Sequence, residues 1–146
     1  MASHGGANLY GFAIYNFLRS LPVPVDTHNL GGVNSMANII YLAGEHRTAS
    51  PNSRFLLHPL HWNFAAGDVD QSRLTEYSSV LDDDRERYIE IFNERTASAS
   101  APFDIRQCLN GTAHTMNPEA ALAAGITHSV VDPVVESPRH TWWGNT

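Results

Sequence analysis

Acyl transfer needs a nucleophile, a base to take its proton, and donors for the oxyanion that forms. The 146-residue chain carries candidates for each. Ser35 follows Gly31-Gly32-Val33-Asn34 and opens the apolar run Met36 to Ala43. That pattern reads as the end of a strand, a glycine turn, then a buried helix ending at Gly44 with Ser35 in its first turn. A hydroxyl there sits beside free N–H groups and the positive end of a helix dipole, and the Met36 N–H is placed as one oxyanion donor. Serine is equally a favoured helix cap, so Ser35 acquires a chemical reading only together with other residues. His58 is the first of these: it closes the apolar run Phe55-Leu56-Leu57 just before Pro59, at the carboxyl end of a strand, where functional groups of open α/β sheets collect. Gly5-Gly6 in Ser3-His4-Gly5-Gly6 is the second, a flexible pair able to turn another backbone N–H outward. His61 lies three residues beyond His58 in a loop. Either histidine taken alone reads as structural.

One absence narrows the chemistry. All nine basic residues are arginine, so Ser–Lys dyads, Schiff-base lysines and P-loop lysines are excluded. A nucleophilic serine here must use histidine as its base, and eight histidines are present. The formal net charge of −6 argues against a nucleic-acid partner. Asp82-Asp83-Asp84 reads as a solvated helix face rather than a metal site, and no cofactor or metal ligand set is expected. Cys108 is the single cysteine, with no motif around it; it reads as a buried thiol in a protein of a reducing compartment, here taken as cytoplasmic. No apolar run reaches the length of a membrane span, and no signal peptide is evident.

These residues must be held by an α/β arrangement. Asn8 to Leu21 reads as a helix buried on more than one side and ended by Pro22. Val25 to Leu30 reads as a strand, Glu45 to Asn52 as a turn, and Ser53 to His58 as a second strand. Val69 to Thr96 is the longest helical pattern, with Asp68 or Asp70 as its cap and a stripe of Leu74, Tyr77, Leu81, Tyr88, Ile91 and Phe92. A small-residue loop over 97–102, a short helix over Phe103 to Asn110, a helix over Pro118 to Gly125 and a strand over Ile126 to Val135 complete the reading. The tail from Ser137 to Thr146, with Trp142-Trp143, shows no periodicity.

Four separated blocks resemble the proteolytic subunit of the Clp protease: the Gly5-Gly6 turn and its following helix, Gly31-Gly32-Val33-Asn34-Ser35-Met36, Ser50-Pro51-Asn52-Ser53-Arg54-Phe55-Leu56-Leu57-His58-Pro59, and Pro118-Glu119-Ala120 with Gly125. The resemblance covers residues 3 to about 132. It implies a ClpP/crotonase-like layered α/β fold with a projecting handle helix at about 69–96, in a domain spanning 1–136 with a tail over 137–146. It implies serine endopeptidase activity, with Ser35 as nucleophile, His58 as general base and the backbone N–H groups of Gly6 and Met36 as the oxyanion hole. The implied partners are copies of itself in a ring that can stack, or a full-length homologue in a mixed ring, together with an AAA+ unfoldase and unfolded protein or peptide substrates. No nucleic acid or membrane is implied.

Two departures shape the expectation. The family's third triad residue, an aspartate, falls on Thr112, leaving Asn110 or Asp104 as substitutes. The elements that usually precede the first glycine block are missing before Ser3, so the chain is expected to be N-terminally short. The alternatives are therefore an impaired ClpP-like subunit acting in a mixed assembly, and an acyl-CoA enzyme on the related crotonase fold, which needs no Ser-His pair.

Overall fold

The computed structural model describes residues 1–64 and 67–133; the expected tail over 137–146 lies outside them. Helix α1 (Asn8–Ser20) leads to β1 (Thr27–Asn29), β2 (Gly32–Asn34), α2 (Ala37–Leu42), β3 (Arg47–Ala49) and β4 (Arg54–Leu57). Then follow the long α3 (Gln71–Arg95), α4 (Arg106–Leu109), β5 (His114–Met116), α5 (Pro118–Ala123) and β6 (Ser129–Val130). The strands form two small sheets, ordered β1-β3-β6 and β2-β4-β5. Every pairing is parallel except β4 with β5. Parallel neighbours require crossovers, and α2 lies in the crossover for both sheets.

That position explains why α2 is apolar nearly all round. Ile39, Tyr41 and Leu42 are fully buried. The Tyr41 ring meets Phe55 edge-on at 5.2 Å, while its hydroxyl donates to the Thr48 carbonyl at 2.8 Å and lies 3.0 Å from Thr127 Oγ1. Burial pushes the Tyr41 pKa up to about 12, so the group stays a neutral donor. Cys108 is buried as expected, and burial, with Asp104 nearby, raises its pKa.

The largest fully buried side chain is Arg47 at the start of β3. No carboxylate faces it among the described residues. Nε donates to the Ile126 carbonyl at 2.8 Å, Nη1 to Gly44 at 3.2 Å, and Nη2 to Arg95 at 2.8 Å and Gly125 at 3.0 Å. These carbonyls lie just past or at the C-terminal ends of α2, α3 and α5, where helices leave acceptors without partners and present negative partial charge. Burial, and then the neighbouring Arg95, lower the Arg47 pKa to about 10, leaving it charged at neutral pH.

Several expectations need correction. Gly32 to Asn34 is a strand, not a continuation of the glycine turn, and β3 falls inside the segment read as a turn; three residues are too few to show alternation. β5 was likewise read through, because its partner on β4 is distant in sequence. The terminal strand is only Ser129–Val130 among the described residues. Helix α1 buries only Gly11, Phe12 and Tyr15. It packs on α2 through one face, where a Cβ on Gly11 would lie 2.2 Å from Met36 Cγ, while Leu9, Tyr10, Ile14 and Phe17 stay exposed. Asp84 is buried rather than solvated. For α3 the cap is Asp70, which accepts from the Arg73 N–H at 3.0 Å. Its buried residues, Asp84, Tyr88, Ile89 and Phe92, all lie in the second half, so the first half projects as a handle.

Replacing the buried guanidinium by an uncharged thioether, Arg47→Met, leaves the Ile126, Arg95 and Gly125 carbonyls without a donor, while Gly44 keeps Arg95. The variant is expected to lose at least about 3 kcal/mol of stability, read as a lowered urea midpoint at unchanged slope. A midpoint within error of the parent would show that the carbonyls find other donors.

Candidate active site

Ser35 sits between the end of β2 and the start of α2, with Met36 at the N-cap position. It does not cap the helix. It is the one non-glycine residue among those described with positive φ, at 55°, a left-handed conformation that costs an L-residue about 1–2 kcal/mol. The elbow is held by the neighbouring strand. Ser35 N–H donates to the Leu56 carbonyl at 2.8 Å. Asn38 Nδ2 donates to the same Leu56 carbonyl and to the Ser35 carbonyl, each at 2.9 Å. A polar residue on an otherwise apolar helix was the signal for Asn38, and the sequence reading passed over it.

The other face of the elbow is set by Gly5. Its φ is +90°, and a Cβ built there would lie 2.7 Å from Ser35 Cβ and 2.8 Å from the Asn34 carbonyl oxygen. Only glycine permits the approach. Ser3 brings the segment in, by a parallel bridge to Val33 and by main-chain bonds to Gly32 and Asn34 of 2.8 and 3.0 Å. Neither the Gly6 nor the Met36 N–H has a hydrogen-bond partner among the described residues.

His58 follows directly on β4. The β2–β4 register pairs Asn34 with Leu56, so Ser35 and His58 leave adjacent strands at the same end. Both line one cavity of about 730 Å³ with Gly5, Gly6 and His61; Met36 is buried behind the elbow. His58 Nδ1 lies 2.7 Å from the Pro59 carbonyl oxygen. A carbonyl only accepts, so Nδ1 carries the proton and Nε2 keeps its lone pair. The His61 ring stacks on His58 with centroids 5.8 Å apart.

Among the described residues no side chain takes the third position of a triad. Thr112 is exposed, and neither it nor Asn110 or Asp104 hydrogen-bonds to His58; Asp104 instead accepts from the Arg106 N–H at 3.0 Å. The outer wall of the cavity comes from Leu60 and Trp62 of the loop after His58 and from Val80, Asp84 and Arg87 of α3. Trp62 stacks on Tyr77 at 4.6 Å, fixing that loop to the handle.

The description "Clp protease" fits the family model that matches residues 1–134. The chain belongs to the Clp protease family. An ATP-dependent Clp protease proteolytic subunit from Deinococcus radiodurans is 28% identical over 135 residues, covering 91% of this chain and 63% of the relative. The ATP-dependent Clp protease proteolytic subunit 2 of Treponema denticola is 45% identical over 58 residues, 38% of this chain and 29% of its own. The chain thus spans less than two thirds of the length of these curated relatives. Among solved structures, a mutant of ClpP1 from Listeria monocytogenes superposes with a TM-score of 0.72 at 22% identity, over 91% of this chain and 71% of that one. The expected α/β fold of the ClpP type is therefore the fold of this chain.

Left-handed strain at Ser35 should be relieved by glycine and not by alanine. Ser35→Gly is expected to be more stable than Ser35→Ala by about 1 kcal/mol, measured as the difference in thermal midpoints. Equal midpoints would mean that the elbow stores no strain.

Proposed function

We propose that this chain is a serine endopeptidase of the Clp type, with Ser35 as nucleophile and His58 as general base. The observation that carries the reading is the strained Ser35 elbow opening into the same cavity as His58. His58 Nε2 takes the Ser35 hydroxyl proton as Oγ attacks the peptide carbonyl. The oxyanion is received by the Gly6 and Met36 N–H groups, which are the unspent donors beside the elbow. His58 Nε2 then returns the proton to the leaving amine, and water repeats the sequence to release the acyl group. No metal or cofactor takes part in these steps. Residues 1–136 act as one peptidase domain. Copies assemble as a ring, which can stack, or enter a mixed ring with a longer homologue. An AAA+ unfoldase in the cytoplasm supplies unfolded protein, which is the sense in which cleavage depends on ATP.

A fluorophosphonate probe is expected to label the folded protein at Ser35, with labelling abolished in Ser35→Ala and slowed at least about 100-fold in His58→Ala. Labelling that persists in Ser35→Ala, or none in folded parent protein, would overturn the assignment.

The second reading is a catalytically impaired subunit with a structural or regulatory role in a mixed assembly. It is favoured by the Pro59 carbonyl at His58 Nδ1. The carbonyl selects the productive tautomer but stabilises imidazolium less than a carboxylate does. Thr112→Asp is then expected to raise kcat/KM for a small fluorogenic peptide by about tenfold or more. Ready cleavage of the same peptide by the parent protein would overturn this reading and favour the active enzyme.

A further inference from the structure

The wall that α3 gives the cavity carries one charged pair, Asp84 and Arg87. Their situations differ. The Asp84 side chain is 11% exposed and the Arg87 side chain 51%. Both Asp84 oxygens are occupied: Oδ1 accepts from Arg87 Nη1 at 3.2 Å and Oδ2 from Asn8 Nδ2 at 3.0 Å. Arg87 spends one of its five N–H donors on this bond. Nε and Nη2 have no hydrogen-bond partner among the described residues. The guanidinium lies over the Phe12 ring, with Cζ 4.1 Å from its centroid, and Phe12 is buried in the core.

The stack and the ion pair together fix the plane of the group, so little side-chain freedom remains to be lost when a ligand binds. Asp84 is satisfied and nearly covered, so it offers little to a cationic ligand. Leu9, Leu60, Trp62 and Val80 add apolar surface to the same cavity, against which the rest of a peptide can lie. A planar fork with an unused edge matches a carboxylate, which can accept two parallel hydrogen bonds.

We propose that Arg87 is a specificity-determining residue of this cavity, reading a carboxylate on the bound peptide through the guanidinium edge that Asp84 leaves free. The carboxylate is either an Asp or Glu side chain or the peptide's own C-terminus. This rests on the peptidase reading for the occupant, while the recognition itself needs no catalysis.

The test uses the full chain carrying Ser35→Ala, so that peptides bind without being cut. Two pairs of fluorescent peptides are titrated by anisotropy: one pair differs only by Glu against Gln, the other by a free acid against an amide at the C-terminus. At low ionic strength the carboxylate member of at least one pair is expected to bind about fivefold tighter. The advantage should shrink with added salt. Which pair discriminates identifies the source of the carboxylate. Adding Arg87→Gln should bring the ratio to about one, and Arg87→Lys should keep part of it, because the charge survives while the fork is lost. Asp84→Asn removes the negative charge that offsets Arg87 and should widen the ratio. It serves as the independent variant if Arg87→Gln fails to fold by circular dichroism.

Equal binding within both pairs, no binding of any peptide, or a ratio that Arg87→Gln leaves intact would each overturn the proposal. Fluorophosphonate labelling of Ser35 is read separately. Labelling without carboxylate preference removes Arg87 alone, and preference without labelling removes the peptidase reading alone.

Discussion

A single guanidinium gathers the ends of three helices. Arg47 lies beneath the C-termini of α2, α3 and α5 and supplies the donors that their last carbonyls lack. Helix ends of like polarity repel when brought together in a low-dielectric interior. A buried cation at their meeting point reverses the sign of that interaction, and a buried cation without carboxylates is tolerable because it donates four hydrogen bonds to these carbonyls. Arg95 extends the arrangement from α3, donating to Leu42 and Gly44 at 2.9 Å each. Through these contacts the crossover helix that follows Ser35 and the handle that walls the cavity are referred to one point.

The site depends on that placement at one remove. Helix α2 presents Asn38 toward β4, and Leu56 of β4 receives both Asn38 and the Ser35 N–H. The energy stored in the left-handed Ser35 is thus offset by contacts that also locate the strand leading to His58. Gly5 closes the elbow from the other side, where no side chain fits. Ser35, the strand leading to His58 and the Gly5 loop are held mainly by backbone bonds, an arrangement more rigid than one built from long side chains.

Much of this was legible in the sequence, for identifiable reasons. Gly31-Gly32 before an apolar run, His58 before Pro59, and Pro118 with Gly125 are local signals, and they marked the elbow, the strand end and α5 closely. The absence of lysine made histidine the expected base. What escaped notice was non-local. The three-residue strands β2, β3 and β5 exist through pairing with distant partners, and no periodicity survives at that length. Asp84 read as solvated because its partners, Asn8 and the Phe12-stacked Arg87, come from α1 packing and from one turn onward along α3. The group facing His58 Nδ1 was sought among side chains, whereas it is the main chain of the next residue. Helix α1 reads as buried on more than one side because composition cannot tell an inward apolar face from an outward one.

The β2–β4 register carries a consequence for folding. Val33 pairs with Phe55 and Asn34 with Leu56, and the elbow hydrogen bond falls on the next rung. A slip of one residue would turn Phe55 and Leu57 out of the core and carry His58 along the strand by about 3.3 Å relative to Ser35. The register that fills the core is thus the register that brings the two side chains to one cavity, and a population that has collapsed with β4 out of step has lost both together.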